Sequence, residues 1–230
     1  GSCAAWPEAG RACSGLLVTS DSFRLVVDLG YGTLPRLLAL IDGDADLVDA
    51  VVVTHAHPDH VVDLHGLYRA RRWSGALPSR RLPLLAPDQV LETLSRIDPE
   101  DADGPAELFG WTPLPATTDI GPWRLTSLKT PHYVENVAVR LDGVDGSLVV
   151  TGDSGPYAPL EEFSRGCDLL ICEATDRYQG RPGLDDPMLK TASYAGRLAS
   201  AADVGGLVLT HLWPGNDRAR ARADASAEFA

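Results

Sequence analysis

The chain has 230 residues, 44% of them apolar, which is enough for one sizeable core. It carries 20 basic against 32 acidic side chains, a formal charge of −12, which repels polyanions at long range and lacks the basic stripe of a nucleic-acid binder. No apolar run approaches the roughly 20 residues of a membrane span.

Residues 16–18 and 24–28 predict two strands around the polar turn Ser20-Asp21-Ser22, interrupted by Gly30 and Gly32. A helix is expected over 34–40 and a buried strand over 47–53. The spacing of Val62, Leu64, Leu67 and Tyr68 predicts a helix over 59–72. A strand over 82–86 and a helix over 88–97 follow. Residues 98–121 turn acidic and proline-rich and predict an irregular connection. Strands are then expected over 123–130, 136–141, 148–151 and 169–172, a helix over 192–202, a strand over 207–210 and helical sequence over 218–228. Strands dominate both halves, with a helix pair in each. That pattern implies two sheets packed face to face under helices, an α/β (α+β) class, read as a single domain over 1–230 that lacks terminal strands.

Cys3, Cys13, Cys167 and Cys172 form no CxxC pair, and the last two flank a strand and read as buried thiols. With no leader-like segment at the start, the expected compartment is the reducing cytoplasm. Arg69, Arg71, Arg72, Arg80 and Arg81 form the one dense basic cluster and read as a solvated helix end rather than an anion site.

Five of the six histidines have a pattern of their own. Thr54-His55-Ala56-His57-Pro58-Asp59-His60 packs three imidazoles and a carboxylate into one loop. His55, Asp153 and His211 each follow a short apolar run, so strand ends deliver them to one rim. Imidazole and carboxylate suit borderline divalent metals. One ion is crowded by the whole loop and two are not. His55, His57 and His132 are assigned to one ion, Asp59, His60 and His211 to the other, with Asp153 as a bridge. Two ions about 3.5–4 Å apart share a hydroxide whose pKa drops to about 7, the expected nucleophile. The ions are expected to be zinc, with manganese and iron as alternatives. His65 fits no ligand slot and reads as helix surface.

These residues resemble the metallo-β-lactamase superfamily. His55-Ala56-His57-Pro58-Asp59-His60 is similar to its HxHxDH signature, Val26-Val27-Asp28-Leu29-Gly30 to its first segment, and His132, Thr151-Gly152-Asp153-Ser154 and Leu209-Thr210-His211 to the remaining ligand segments in order. The resemblance implies a four-layer αββα sandwich, a dinuclear zinc site, and Asp28 and Thr54 as braces for the metal loop. The ribonuclease Z-like branch looks nearest, on Leu64-His65-Gly66-Leu67, Gly152-Asp153-Ser154-Gly155-Pro156 and Cys172-Glu173-Ala174. The tRNA-gripping arm of that branch has no counterpart here. Leu189, in Met188-Leu189-Lys190-Thr191-Ala192, stands where the branch usually has a histidine, and Lys190 reads as an ordinary exposed lysine.

The expected activity is a metal-dependent phosphodiesterase on a small anionic phosphoester such as a cyclic nucleotide, with Asp59 and Asp153 as catalytic carboxylates. The alternative is a lactone or thioester hydrolase, which Leu189 favours slightly; an iron oxidoreductase is disfavoured because the second metal set is intact, and a non-catalytic binding module because no ligand is missing. The expected partners are a small molecule and a second copy of the chain, not a large nucleic acid or a membrane. Residues 73–81 and 98–121 are expected to frame the pocket mouth, with Trp73, Trp111, Trp213 and Tyr133 as wall residues.

Overall fold

The computed structural model describes residues 1–74, 81–179 and 186–230. In chain order the elements are β1 (Leu16–Ser20), β2 (Phe23–Val27), α1 (Leu34–Leu40), β3 (Ala50–Val52), α2 (Pro58–Trp73), β4 (Leu82–Ala86), α3 (Gln89–Ile97), α4 (Gly104–Leu108), β5 (Phe109–Pro113), β6 (Thr117–Ile120), β7 (Trp123–Thr130), β8 (Asn136–Gly143), β9 (Gly146–Val150), α5 (Pro159–Ser164), β10 (Leu169–Glu173), α6 (Ala192–Ala201), β11 (Leu207–Thr210) and α7 (Arg218–Ser226). One sheet runs β1-β2-β3-β4-β5 and the other β11-β10-β9-β8-β7-β6. In the first, only the β1–β2 pair is antiparallel. In the second, β9, β10 and β11 are parallel, and β6 to β9 form an antiparallel meander.

Side chains alternate across each strand, so one strand serves two cores. Leu25, Val27, Ala50, Val52 and Leu85 face Leu125, Val137, Val139, Leu141, Val150 and Ile171 of the other sheet. Val26, Val51 and Leu84 point the opposite way, onto Leu37, Val61, Leu64, Leu67 and Val90 of the covering helices. Ala138, Val149, Leu170 and Cys172 pack under Leu160, Ala195 and Leu198. The result is the expected helix–sheet–sheet–helix order. Each fully buried leucine in these layers contributes about 1.5–3 kcal/mol.

Two expectations change, and one element is new. The strand over 47–53 shortens to Ala50–Val52, because Ala45–Leu47 forms a 3-10 turn whose entry is fixed by the Asp44 side chain accepting from the Asp46 N–H. Residues 98–121 are not irregular: they hold a 3-10 turn (Pro99–Asp101), α4, β5 and β6. β5 and β6 are the outermost strands of their sheets and stay largely open to solvent, so they lack the apolar alternation of inner strands. The six-residue α5, entered at Pro159, was not anticipated.

The basic cluster is held by partners within the fold. Arg71 is buried and donates to the Ala45 and Val48 carbonyls while meeting Asp46. Arg69 pairs with Asp98, Arg72 with Asp101 and Glu107, and Arg81 donates to the Ala106 carbonyl. Arg80 lies outside the described residues. Arg71 is therefore structural, not a solvated helix end. Arg71→Ala is expected to destabilise the fold by about 2–4 kcal/mol, since two buried carbonyls lose their donor. A urea midpoint unchanged from the parent protein would refute this.

All four cysteines are buried free thiols, which extends the burial expected for Cys167 and Cys172 to the other pair.

Candidate metal centre

The ends of β3, β7, β9 and β11 meet at one rim and deliver His55, His132, Asp153 and His211 respectively. His57 precedes Pro58, which disfavours helical backbone at that position. It is accordingly extended, with φ −64° and ψ 144°, and caps α2. Its Nδ1 lies 3.0 Å from His55 Nε2 and 3.1 Å from His132 Nε2. Asp59 and His60 enter on the first turn of α2. Two glycines permit the close approach. A Cβ on Gly30 would sit 1.7 Å from the Asp59 carbonyl, and one on Gly152 2.7 Å from Asn136 Oδ1, at a φ of +56°. Asp28 and His211 also adopt left-handed backbone, at φ +59° and +54°, a conformation retained where the surroundings impose it.

Two groups of donor atoms result: His55, His57, His132 and Asp153, and Asp59, His60 and His211. Within each group all atoms lie within 4.8 Å of one another. A tetrahedron with bonds of about 2.0–2.1 Å has edges of about 3.3 Å, and the contacts scatter around that value. His211 Nε2 is 3.1 Å from Asp59 Oδ2, and His60 Nε2 is 3.8 Å from the same oxygen. Asp153 touches both groups. Its Oδ2 is 3.9 Å from His55, 3.8 Å from His132 and 3.0 Å from His211, while Oδ1 is 3.5 Å from His60. The donor set fits a pair of divalent cations.

Protonation agrees with that fit. Burial, aided by the nearby imidazoles, lowers the pKa of His55 strongly and that of His57 and His132 less, leaving lone pairs free. Burial, the largest single influence, would also lower His60 and His211, but the carboxylates together outweigh it, Asp153 with Asp28 at His60 and Asp153 with Asp59 at His211, and both imidazoles are raised. Burial would raise Asp153, yet His211, His60 and His55 hold its carboxyl well below the usual range. A cation entering here competes with protons at His60 and His211.

The outer hydrogen bonds fix which ring nitrogen faces inward. Thr54 Oγ1 donates to Asp28 and lies 3.0 Å from His55 Nδ1. Asp28 Oδ2 also lies 2.8 Å from His60 Nδ1, and Oδ1 accepts from the Thr54 N–H. The same arrangement recurs opposite: Thr175 Oγ1 donates to Glu173 Oε2 at 2.6 Å and lies 2.8 Å from His211 Nδ1. The Met188 carbonyl lies 3.2 Å from His132 Nδ1. Asp28→Ala is expected to weaken cation binding about 10–100-fold, read by competition against a chromogenic chelator; unchanged affinity would deny Asp28 that role.

Sequence reading missed Glu173 and Thr175. The signal was available, since an acid closes the apolar run of β10 as Asp28 closes that of β2. It also misplaced Lys190, whose side chain is fully buried. Lys190 Nζ donates to the Ser154 carbonyl and hydroxyl and lies 4.0 Å from Glu173 Oε1, which accepts from the Ser154 and Lys190 N–H groups. The segment before β1 contributes too: the Ala5 N–H donates to Asp59 Oδ2 at 2.7 Å, and Ser14 Oγ lies 3.3 Å from His60 Nε2. His65 stands apart beside Tyr68, partly buried.

The donors open into a cleft of about 480 Å³ walled by Ala5, Tyr133, Thr175, Arg177, Leu189 and Trp213. Tyr133 and Trp213 are wall residues as expected; Trp73 and Trp111 are not, and none of 98–121 lines the cleft. Within 73–81, residues 75–80 lie outside the described residues. Arg177 is the only lysine or arginine among the described lining residues, with its guanidinium 4.7 Å from the centre of the Trp213 ring.

A metallo-β-lactamase superfamily model matches residues 9–211. The chain belongs to the metallo-β-lactamase superfamily. A Bacillus subtilis protein described as a probable metallo-hydrolase, YhfI, is 32% identical over 209 residues, covering 90% of this chain and 82% of its own. Its crystal structure superposes with a TM-score of 0.85 at 28% identity, over 100% of this chain and 91% of that one. A ribonuclease Z from Bradyrhizobium is 30% identical over 266 residues, covering 92% of this chain and 87% of its own. Human tRNase Z, short form, shares the fold, with a TM-score of 0.74 at 19% identity over 93% and 90% of the two chains. The superfamily's fold is the one described above, and the YhfI and ribonuclease Z relatives are described as hydrolases. Among the described residues no helix is long and apolar enough to cross a membrane.

Proposed function

We propose that the chain is a hydrolase of small phosphodiesters that works with two divalent ions, zinc by donor chemistry. The observation that carries the reading is Asp153, which reaches both groups: its Oδ2 lies 3.9 Å from His55 and 3.8 Å from His132 of one and 3.0 Å from His211 of the other, with Oδ1 3.5 Å from His60. When bound, two such ions supply positive charge to a phosphoryl group and acidify water.

The chain's own residues do the rest. His55, His57, His132, His60 and His211 and the carboxylates Asp59 and Asp153 would supply the inner donors. Asp28 and Glu173 lock the outer faces of the rings through Thr54 and Thr175, so that little reorganisation accompanies reaction. Asp59, beside His211, is placed to accept and pass on a proton at Oδ2. Arg177 offers the cleft a fixed cation suited to an anionic substrate. Leu189 lines the wall without a titrating group, so no imidazole serves a leaving group there. Tyr133 does not act as a base: burial and its hydrogen bond to Asp186 push its pKa up to about 12.

Arg177 and the ribonuclease Z relative favour phosphodiesters over carbonyl esters. The acidic charge favours a small substrate over a large nucleic acid. Zinc-reconstituted protein tested on bis-p-nitrophenyl phosphate, cyclic nucleotides, acyl thioesters and lactones separates these. Turnover of phosphodiesters without thioesters is the expected result; turnover of acyl substrates alone refutes it.

A further inference from the structure

A second chamber, of about 780 Å³, adjoins the metal cleft. Arg177 and Leu189 wall both spaces, so the chamber is the next compartment along from the donors. Its other described walls include Tyr178, Asp186, Tyr194 and Arg197. Nothing in the metal chemistry above uses it.

The chamber's chemistry is mixed. The Arg177 guanidinium lies 4.7 Å from the Trp213 ring centre on the cleft side and 5.9 Å from that of Tyr178 on the chamber side. Tyr178 is 39% exposed, with ring surface open to contact. Asp186 adds a carboxylate that receives the Tyr133 hydroxyl and the Met188 N–H and faces Arg177 at 3.6 Å. A carboxylate has about four acceptor sites, so capacity for a ligand hydroxyl or amine remains. An acyl tail would remove water from Arg177, Asp186 and Arg197 with no hydrogen bond in return, which costs free energy. A flat heterocycle bearing hydroxyls meets the same walls by stacking and hydrogen bonding. A second phosphate would face Asp186 and so fits less well.

We propose that this chamber is the subsite for the nucleoside arm of the substrate, with Tyr178 as its stacking surface and Arg177 at the junction with the phosphate. The assignment rests on the phosphodiesterase reading but is tested apart from it. The probes are adenosine 5′-monophosphate and inorganic phosphate, titrated by calorimetry into the 230-residue zinc-loaded chain and its Tyr178→Ala and Tyr178→Phe variants. The nucleotide binds the parent protein more tightly than phosphate does. Tyr178→Ala weakens the nucleotide about tenfold and leaves phosphate unchanged, and Tyr178→Phe retains parental affinity. A nucleotide no tighter than phosphate, or a Tyr178→Ala variant that shifts both ligands equally or neither, overturns the subsite. Hydrolysis of bis-p-nitrophenyl phosphate is measured alongside. Turnover with no nucleotide preference removes the subsite and leaves the function standing. Tyr178-dependent nucleotide binding without phosphodiester turnover does the reverse.

Discussion

Asp153→Ala is expected to cost the chain both bound metal and about three orders of magnitude in kcat/KM. One substitution removes a donor from each group, since Oδ1 lies 3.5 Å from His60 and Oδ2 lies 3.0 Å from His211 and 3.8 Å from His132. Loss of metal charge at a reacting phosphoryl group forfeits several kcal/mol of transition-state stabilisation, and each ~1.4 kcal/mol is tenfold in rate. His57→Ala is the matched control. It touches one group only and is expected to lower metal content less. Elemental analysis of purified protein, read beside bis-p-nitrophenyl phosphate rates, checks both. An Asp153→Ala protein with full metal content and a rate within tenfold of the parent would show that the carboxylate does not bridge.

Lys190→Met is expected to destabilise the fold by about 3–5 kcal/mol, a large effect for a residue that sequence alone reads as exposed. The Lys190 and Glu173 side chains are 0% and 1% exposed. Methionine fills a similar volume but leaves Glu173 without its cation and Ser154 without a donor. Glu173 in turn receives the N–H of Ser154, the residue after Asp153, and the hydroxyl of Thr175, which lies against His211. The double variant Lys190→Met/Glu173→Gln removes the uncompensated charge and is expected to recover part of the loss. Urea unfolding measures both. A single-variant loss below about 1 kcal/mol would mean the pair is not structural.

The donor set was legible because it obeys two local rules together. Imidazoles concentrated in six positions have few structural uses, and an acid or histidine after an apolar strand marks a rim. Inner strands were legible because two-sided burial leaves a continuous apolar run, as in Ala50-Val51-Val52 and Leu170-Ile171-Cys172. β5 and β6 were hidden because outer strands bury little, so Trp111-Thr112-Pro113 and Thr117-Thr118-Asp119 read as loop. Lys190 was hidden for a different reason. Its burial depends on Ser154 and Glu173, which lie 36 and 17 residues away, and no local pattern encodes a partner at that distance. Arg177 was invisible on the same ground, because only folding places its guanidinium on Trp213.

The donors come from both sheets: His55 follows a strand of one, while His132, Asp153 and His211 follow strands of the other. Cations held among them would therefore act as a clasp across the sandwich. By mass action, the free metal concentration would set the temperature at which the two leaves part, making heat resistance a gauge of metal supply.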